Sequence, residues 1–170
     1  PDAARAFLQP RLDALLDPHG LKGMDRAVER IVRAVRANEP ICIYGDYDVD
    51  GSTATALMVN FFRVAGVQVR PYIPHRMNEG YGLNCEALAT IAAEGAKVVI
   101  TVDNGISAIV EAREAKRLGL DLIITDHHEP HGEVPDAYVI INPKQEGCTY
   151  PDKGLAGVGL AFKLSWAVAQ

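Results

Sequence analysis

Apolar residues recur along the chain in two spacings, one typical of amphipathic helices and the other of buried strands. The helical spacing covers five segments, residues 24–37, 54–65, 84–94, 107–118 and 159 onward. Short apolar or β-branched runs predict five strands, at residues 41–44, 67–73, 98–102, 122–125 and 138–141. Strands that alternate with helices predict an α/β domain with a mostly parallel sheet and helices on both of its faces.

Residues that commonly begin or end helices bracket the second helical segment. Ser52 or Thr53 is placed to cap the helix over 54–65, and Gly66 is placed to end it. We therefore expect that helix to begin after residue 51, which leaves the polar stretch between the first strand and residue 52 as a loop.

Acidic residues and histidines follow three of the predicted strands directly. These residues are Asp46, Asp48 and Asp50 after the first strand, Asp103 after the third, and Asp126, His127 and His128 after the fourth. Active sites of parallel α/β sheets lie at the carboxyl ends of the strands. If the strands are parallel neighbours, five carboxylates and two imidazoles converge on one edge of the sheet.

Such a concentration of carboxylates needs a counter-charge. Two unit charges about 4 Å apart repel by roughly 4 kcal/mol at an effective dielectric constant near 20. The three loops contain no Lys or Arg, so a bound cation is the expected solution. Oxygen ligands with one or two histidines suit Mn²⁺ or Mg²⁺, and this many carboxylates could hold two ions. Metal-dependent hydrolysis of phosphoesters is the reaction that such a site favours.

Simpler interpretations apply to each residue taken alone. A single Asp after a strand is usually a helix cap, and a histidine pair is often a solvated loop feature. The Asp46–Gly51 segment also resembles the first half of an EF-hand calcium loop, but Leu57 stands where that loop needs a bidentate Glu. The order of residues after the strand also disfavours a haloacid-dehalogenase-like nucleophile, and there is no Walker A sequence.

Composition narrows the context of the site. The 170 residues are 48% hydrophobic, which is ordinary for one globular domain, and no apolar run is long enough for a membrane span. Acidic residues outnumber basic ones 22 to 17, so this domain alone is not expected to bind nucleic acid strongly. Three cysteines without a CxxC pair favour a reducing compartment, and we expect a cytoplasmic protein without a membrane partner.

The strand-end motifs resemble those of a known superfamily. In order, Tyr44–Gly51, Val102–Gly105 and Asp126–His128 resemble the signature motifs of the DHH phosphoesterases, and the form of the first motif resembles that of the RecJ-type exonucleases. The loop through Arg76 and Glu79–Leu83 also fits this family. So do two later segments, Asn142–Lys144 and Leu155–Gly159.

The resemblance implies a metal-dependent exonuclease that hydrolyses single-stranded DNA from 5′ to 3′ in DNA repair and recombination, with a helicase or a single-strand-binding protein as a partner. It implies Mn²⁺ or Mg²⁺, held as two ions by Asp46, Asp48, Asp50, Asp103 and His127. His128 would contact the scissile phosphate, and Asp126 would orient the histidines. The substrate-binding residues would be Arg76, Tyr81, Asn104, Gly105 and Ser107, with amides near Ser107 facing the anion.

The resemblance also implies a domain division and two alternative functions. Residues 1–21 would be an N-terminal extension, and residues 22–170 a DHH catalytic domain that stops before a last metal ligand and a second domain. A fragment of this kind is expected to be weakly active or inactive by itself. The alternatives are a phosphatase or phosphodiesterase for small nucleotides or oligonucleotides, which the Glu79–Leu83 loop disfavours, and a non-catalytic DHH scaffold, which the intact ligand positions disfavour.

Overall fold

A five-stranded parallel sheet forms the centre of the molecule. The structure, a computed structural model, describes residues 8–9, 11–77 and 79–170, so part of the predicted N-terminal extension lies outside the described residues. The strands are β1 (Ile41–Tyr44), β2 (Val69–Tyr72), β3 (Val98–Val102), β4 (Asp121–Thr125) and β5 (Val139–Ile141). Their order is β2-β1-β3-β4-β5, and every neighbouring pair is parallel.

Five α-helices of the described residues cover both faces of this sheet. They are α1 (Met24–Arg36), α2 (Val49–Val64), α3 (Cys85–Ala93), α4 (Ile109–Arg117) and α5 (Gly157–Ala169). Strand β1 shows how one strand serves two cores, because side chains alternate across a strand. Ile41 and Ile43 pack with α1, α2 and α5, whereas Cys42 and Tyr44 pack with α3 and α4. The predicted fold class is confirmed.

Two helices begin earlier than the apolar spacing predicts. Helix α2 begins at Val49, and the Asp48 carboxylate caps it by accepting a hydrogen bond from the Gly51 amide at 2.9 Å. The prediction that Ser52 or Thr53 caps this helix is therefore wrong, and the Thr53 hydroxyl bonds instead to carbonyls inside the helix. The first turn of α2 is polar because it faces the candidate site, so an apolar pattern cannot reveal it. Helix α5 likewise begins at Gly157, two residues before the predicted start.

Residues before α1 pack against the last helix. The Tyr150 hydroxyl donates to the Leu16 carbonyl at 3.4 Å, and the ammonium of Lys163 in α5 donates to the same carbonyl. Leu21 is buried in the core. No helix within the described ranges is both long and apolar enough to span a lipid bilayer.

Candidate metal centre

Three strand-end loops meet at the carboxyl edge of the sheet. The imidazole Nε2 of His127 lies 3.0 Å from Asp103 Oδ1 and 3.5 Å from Asp50 Oδ2. These residues follow β4, β3 and β1, which are neighbours in the sheet order. The predicted convergence of acids and histidines is confirmed, because parallel neighbours present their carboxyl ends on the same side.

Two glycines allow the loop after β1 to fold tightly onto α2. A Cβ atom at Gly51 would lie 2.7 Å from three atoms of Asp46, and a Cβ at Gly45 would lie 1.9 Å from Thr55 Oγ1. Asp46 is fully buried by this arrangement, and its Oδ1 accepts a hydrogen bond from the Tyr47 amide at 2.7 Å. Burial is the main reason that the pKa of Asp46 is raised above its ordinary value.

Asp50 connects the first motif to the start of α5. Its two carboxylate oxygens accept hydrogen bonds from the amides of Gly157 and Val158, each at 2.7 Å. A carboxylate at a helix N-terminus is favourable because the first amides have no partner within the helix. A Cβ at Gly157 would lie 2.6 Å from Asp103 Cβ, so only glycine allows α5 to approach this closely. Sequence reasoning missed this contact, although Gly157 lies within the Leu155–Gly159 motif.

Asp103, the acid that follows β3, is almost completely buried. Its exposed fraction is 1%, its φ of 65° lies in the left-handed region, and its amide donates to the Thr125 carbonyl at 3.0 Å. Burial raises the pKa of Asp103 to about 7, and the nearby charges of Asp50 and Asp48 add to the effect. A cation placed beside it would favour the ionised form again.

Asp126 organises the two histidines. Its Oδ2 accepts from the Ile106 amide at 2.8 Å, and its Oδ1 accepts from the amides of His127 and His128 at 2.7 and 3.1 Å. The same Oδ1 lies 2.6 Å from His128 Nδ1, which fixes that nitrogen as the protonated one. Burial lowers the pKa of His128, but the hydrogen bond and charge of Asp126 outweigh it, so the net shift is upward. The side-chain amide of Asn142 holds the His128 carbonyl at 2.9 Å.

Within this cluster, two buried carboxylate oxygens accept no hydrogen bond from the described residues. They are Asp46 Oδ2 and Asp103 Oδ1, and the close contact of the latter with His127 lacks hydrogen-bond geometry. Among the described residues, no Lys or Arg forms an ion pair with either carboxylate. Buried carboxylates of this kind are costly unless they are paired or coordinate a metal. Ligand atoms of Asp103, His127 and His128 lie within 4.8 Å of one another, so these residues fit a hard divalent cation such as Mn²⁺ or Mg²⁺.

Most of the predicted substrate-binding residues line one cavity beside this cluster. The cavity has a volume of about 280 Å³, and its lining includes Tyr81, Asn104, Gly105, Ser107, Asp126 and His128. Arg76 is not part of this lining. Its guanidinium carbon lies 5.3 Å from the centre of the Tyr47 ring. The structure thus brings together four of the five predicted substrate-binding residues, and it places Arg76 over the ring of Tyr47, which meets Tyr81 edge-on.

The loop between β3 and α4 differs in detail from the prediction. Helix α4 begins at Ile109, so Ser107 precedes the helix, and the Ile106 amide is used by Asp126. The side-chain amide nitrogen of Asn104 donates to the carbonyls of Val102 and Tyr44 at 3.0 and 3.4 Å, while its Oδ1 has no partner in the described residues. The side-chain nitrogen of Asn104 therefore stabilises the loop through two hydrogen bonds, whereas its Oδ1 accepts none from the described residues.

Comparisons with known proteins agree with this geometry. The single-stranded-DNA-specific exonuclease RecJ of Bacillus subtilis (strain 168) is 52% identical over 98% of this chain, which spans 21% of that protein. A crystal structure of exonuclease RecJ bound to manganese superposes with a TM-score of 0.82 at 36% identity, covering 91% of this chain and 39% of that one. RecJ from Thermus thermophilus in complex with Mn²⁺ gives a TM-score of 0.75 at 34% identity, covering 95% and 22%.

The family itself follows from a match over most of the chain. Residues 40–170 match the DHH family, N-terminal domain, and this range contains all the motifs from which the resemblance was predicted. The chain spans only about a fifth of the Bacillus subtilis relative, so the family assignment concerns this domain. This chain belongs to the DHH family.

Proposed function

We propose that this chain forms the metal-binding catalytic part of an exonuclease that degrades single-stranded DNA from 5′ to 3′. The observation that carries the proposal is a pair of buried carboxylate oxygens, Asp46 Oδ2 and Asp103 Oδ1, that accept no hydrogen bond from the described residues, with Asp103 lying 3.0 Å from His127. Relatives in several bacteria are named single-stranded-DNA-specific exonucleases, and two similar RecJ structures hold Mn²⁺. A cluster that needs cations, on a fold that holds manganese in relatives, supports metal-dependent hydrolysis.

The candidate ligands are five residues of the three strand-end loops. Mn²⁺ or Mg²⁺, as two ions, would be held by Asp46, Asp48, Asp50, Asp103 and His127. Such ions lower the pKa of water and neutralise charge that develops on a phosphate during displacement. The protein holds these carboxylates in place beforehand through the Gly51, Gly157 and Val158 amides. This pre-organisation reduces the rearrangement needed when the site is loaded.

His128 is the residue best placed to act on the substrate phosphate. Because Asp126 holds its Nδ1, its Nε2 is the nitrogen available to the cavity. The raised pKa of His128 favours the imidazolium form, whose Nε2–H donates to a phosphate oxygen. Asp126 acts through His128 and through the backbone amides that it accepts from, so we assign it an orienting role.

The remaining residues would bind and guide the strand. Tyr81, Asn104, Gly105 and Ser107 line the cavity that His128 faces, and the exposed Arg76 beside it suits a flanking phosphate. With a net charge of −5, this chain would rely on other parts of the complete protein for much of its grip on DNA. We further propose action in DNA repair and recombination with a helicase or single-strand-binding protein. The free cysteines of the chain support a cytoplasmic location.

The test is a digestion by the complete protein that carries this chain. A 5′-phosphorylated single-stranded oligonucleotide labelled at either end is incubated with Mn²⁺, with matched duplex and dinucleotide substrates in parallel. We expect mononucleotides released from the 5′ end of the single strand and little product from the duplex. Cleavage of dinucleotides alone would favour the phosphodiesterase alternative, and absence of any hydrolysis with intact metal binding would favour the scaffold.

A further inference from the structure

Tyr47 lies in the sequence between two candidate ligands, Asp46 and Asp48. Its side chain makes two contacts that the proposed mechanism does not use. Its ring centre lies 5.3 Å from the guanidinium carbon of Arg76. The ring of Tyr81 meets it edge-on, with centroids 6.0 Å apart and an interplanar angle of 84°. One aromatic ring thus contacts both a predicted phosphate-binding arginine and a residue of the cavity wall.

The loop that carries Arg76 and Tyr81 is fixed at its two ends. The carboxylate of Glu79 accepts from the Tyr72 hydroxyl and from the His75 amide, the latter at 2.7 Å. Further along, the Tyr44 hydroxyl donates to the Gly82 carbonyl at 3.0 Å. These bonds hold the backbone, but they leave the long side chain of Arg76 exposed to solvent. An exposed arginine side chain samples many rotamers unless a neighbour restricts it.

The ring of Tyr47 supplies that restriction. A guanidinium over an aromatic face within about 6 Å is attracted to the ring, and the planar group stacks well on it. The Tyr47 amide also donates to the buried Asp46 carboxylate at 2.7 Å, which fixes the backbone that carries the ring next to the candidate metal centre. Tyr47 therefore links Arg76 to the cluster of acids through one ring contact and one backbone hydrogen bond.

We propose that Tyr47 is a positioning residue that holds Arg76 beside the metal centre. The inference rests on the proposed function, because it assigns Tyr47 a role in binding single-stranded DNA. A phosphate of the strand then meets a guanidinium that is already in place, so less side-chain freedom is lost on binding. Tyr47 acts on substrate binding through Arg76 and does not itself take part in the chemical step.

The experiment uses variants of the complete protein in a double-mutant cycle. Tyr47→Leu removes the ring, Tyr47→Phe keeps it, Arg76→Ala removes the guanidinium, and a fourth variant combines Tyr47→Leu with Arg76→Ala. Tyr138→Leu is the matched control, because Arg26 lies 4.5 Å over the Tyr138 ring at the opposite edge of the sheet. The measurements are KM and kcat on a 5′-phosphorylated oligonucleotide, its Kd without divalent metal, and the midpoint of thermal unfolding.

We expect Tyr47→Leu to raise KM and Kd about two- to fivefold, which is the effect of one exposed cation–π contact. The kcat should change by less than about twofold, because the transition state gains nothing further from Tyr47. Tyr47→Phe and Tyr138→Leu should behave like the unaltered protein. The combined variant should bind no more weakly than Arg76→Ala alone, because a residue that acts through another adds nothing once that residue is absent.

Other outcomes would overturn the inference. Effects of Tyr47→Leu and Arg76→Ala that multiply would show that the two residues act independently. A loss of kcat with unchanged KM and Kd would place Tyr47 in the support of Asp46. If the unaltered protein degrades single strands while Tyr47→Leu matches it in KM and Kd, this inference fails and the proposed function stands. If the unaltered protein and the control both fail to cleave, the proposed function itself fails.

Discussion

Acidic residues lie at both ends of the parallel strands, but their neighbours differ. We call the end where the strands begin the amino edge of the sheet, and the end where they finish the carboxyl edge. At the amino edge, Arg30 has a side chain only 5% exposed, and it pairs with Asp121 and, at 2.7 Å, with Glu39. At the carboxyl edge, Asp103 is only 1% exposed, and its close neighbours are other acids, His127 and His128. Both edges contain buried carboxylate oxygens without hydrogen-bond geometry, including Glu39 Oε2. The difference is the counter-charge: within the described residues an arginine pairs with the acids of the amino edge, whereas no Lys or Arg pairs with Asp46 or Asp103.

This difference separates a structural role from a functional one. Acids paired with an internal arginine are neutralised in the folded chain, so they need no ligand to remain charged. Acids that share one edge without a base raise one another's pKa and need an external charge. A strand-end Asp is a stronger candidate for a metal ligand when no Lys or Arg neutralises it, as is the case for Asp46 and Asp103 among the described residues.

The largest expected effect comes from removing the enclosed acid at the carboxyl edge. Asp103→Ala in the complete protein should lower Mn²⁺-dependent cleavage of single-stranded DNA by about a thousandfold or more, because metal ions contribute several kcal/mol to the transition state. Its folding should be preserved, as judged by circular dichroism and thermal unfolding. Asp121→Asn at the amino edge is the matched control and should retain cleavage and Mn²⁺ binding.

Two results would contradict the different roles assigned to the acids of the two edges. Cleavage by Asp103→Ala at the rate of the unaltered protein would remove Asp103 from the site. Loss of Mn²⁺ binding in Asp121→Asn, measured by calorimetry, would mean that the paired acids of the amino edge also serve the metal.

A smaller effect is expected from the acid that orients His128. Asp126→Asn cannot accept the Ile106, His127 and His128 amides together with His128 Nδ1, because one of its oxygens becomes an NH₂ donor. We expect kcat to fall about 10- to 100-fold, the usual effect of losing an orienting group behind a ligand. The pH at which His128 titrates, followed by NMR, should fall as well. An unchanged His128 titration with normal kcat would contradict the orienting role.

The local parts of this architecture were predictable from the chain, and the contacts between distant loops were not. The strands at 41–44 and 98–102 match the predicted bounds, since a buried strand is visible as an apolar run. The start of α2 was predicted too late because its first turn is polar. The bonds from Asp50 to Gly157 and Val158 join residues 107 and 108 positions apart, and no periodicity records such a contact. Convergence of the three motifs was predictable only because parallel sheets place their carboxyl ends together.

The amino edge offers a change in stability without a change in function. Arg30→Met removes the guanidinium that serves Glu39 and Asp121 and leaves two carboxylates without a partner. We expect the free energy of unfolding to fall by about 2 kcal/mol, less than for fully buried pairs because both acids are partly exposed. Urea denaturation measures this loss. Binding of Mn²⁺ by the folded variant should be unchanged, and weakened binding would show that the two edges are coupled.

The pH dependence of stability should also distinguish the edges. The folded protein without divalent metal binds a proton on Asp103 more tightly than the unfolded chain does, because the pKa of Asp103 is raised to about 7. Its free energy of unfolding should therefore fall as the pH rises from about 4 to about 7. Asp103→Asn should flatten this dependence, and saturating Mn²⁺ should oppose it. A metal-free protein that gains stability over this range would contradict the assigned environment of Asp103.

The smallest effect on stability is expected from a surface ion pair at the amino edge. Its contribution to stability has the opposite pH dependence from that of Asp103. Lys116 Nζ lies 2.8 Å from Asp136, and this contact holds the pKa of Asp136 below its ordinary value. A lowered pKa stabilises the folded state above the ordinary pKa, and that stability is lost as the pH falls through the lowered value. Both side chains are more than 70% exposed, so water screens the pair and Asp136→Asn should barely change the unfolding midpoint at pH 7. A change as large as that of Arg30→Met would show that exposure does not govern these pairs. The buried acids of the carboxyl edge should instead make stability fall with rising pH, because burial, reinforced by repulsion between the acids, favours their protonated form in the folded chain.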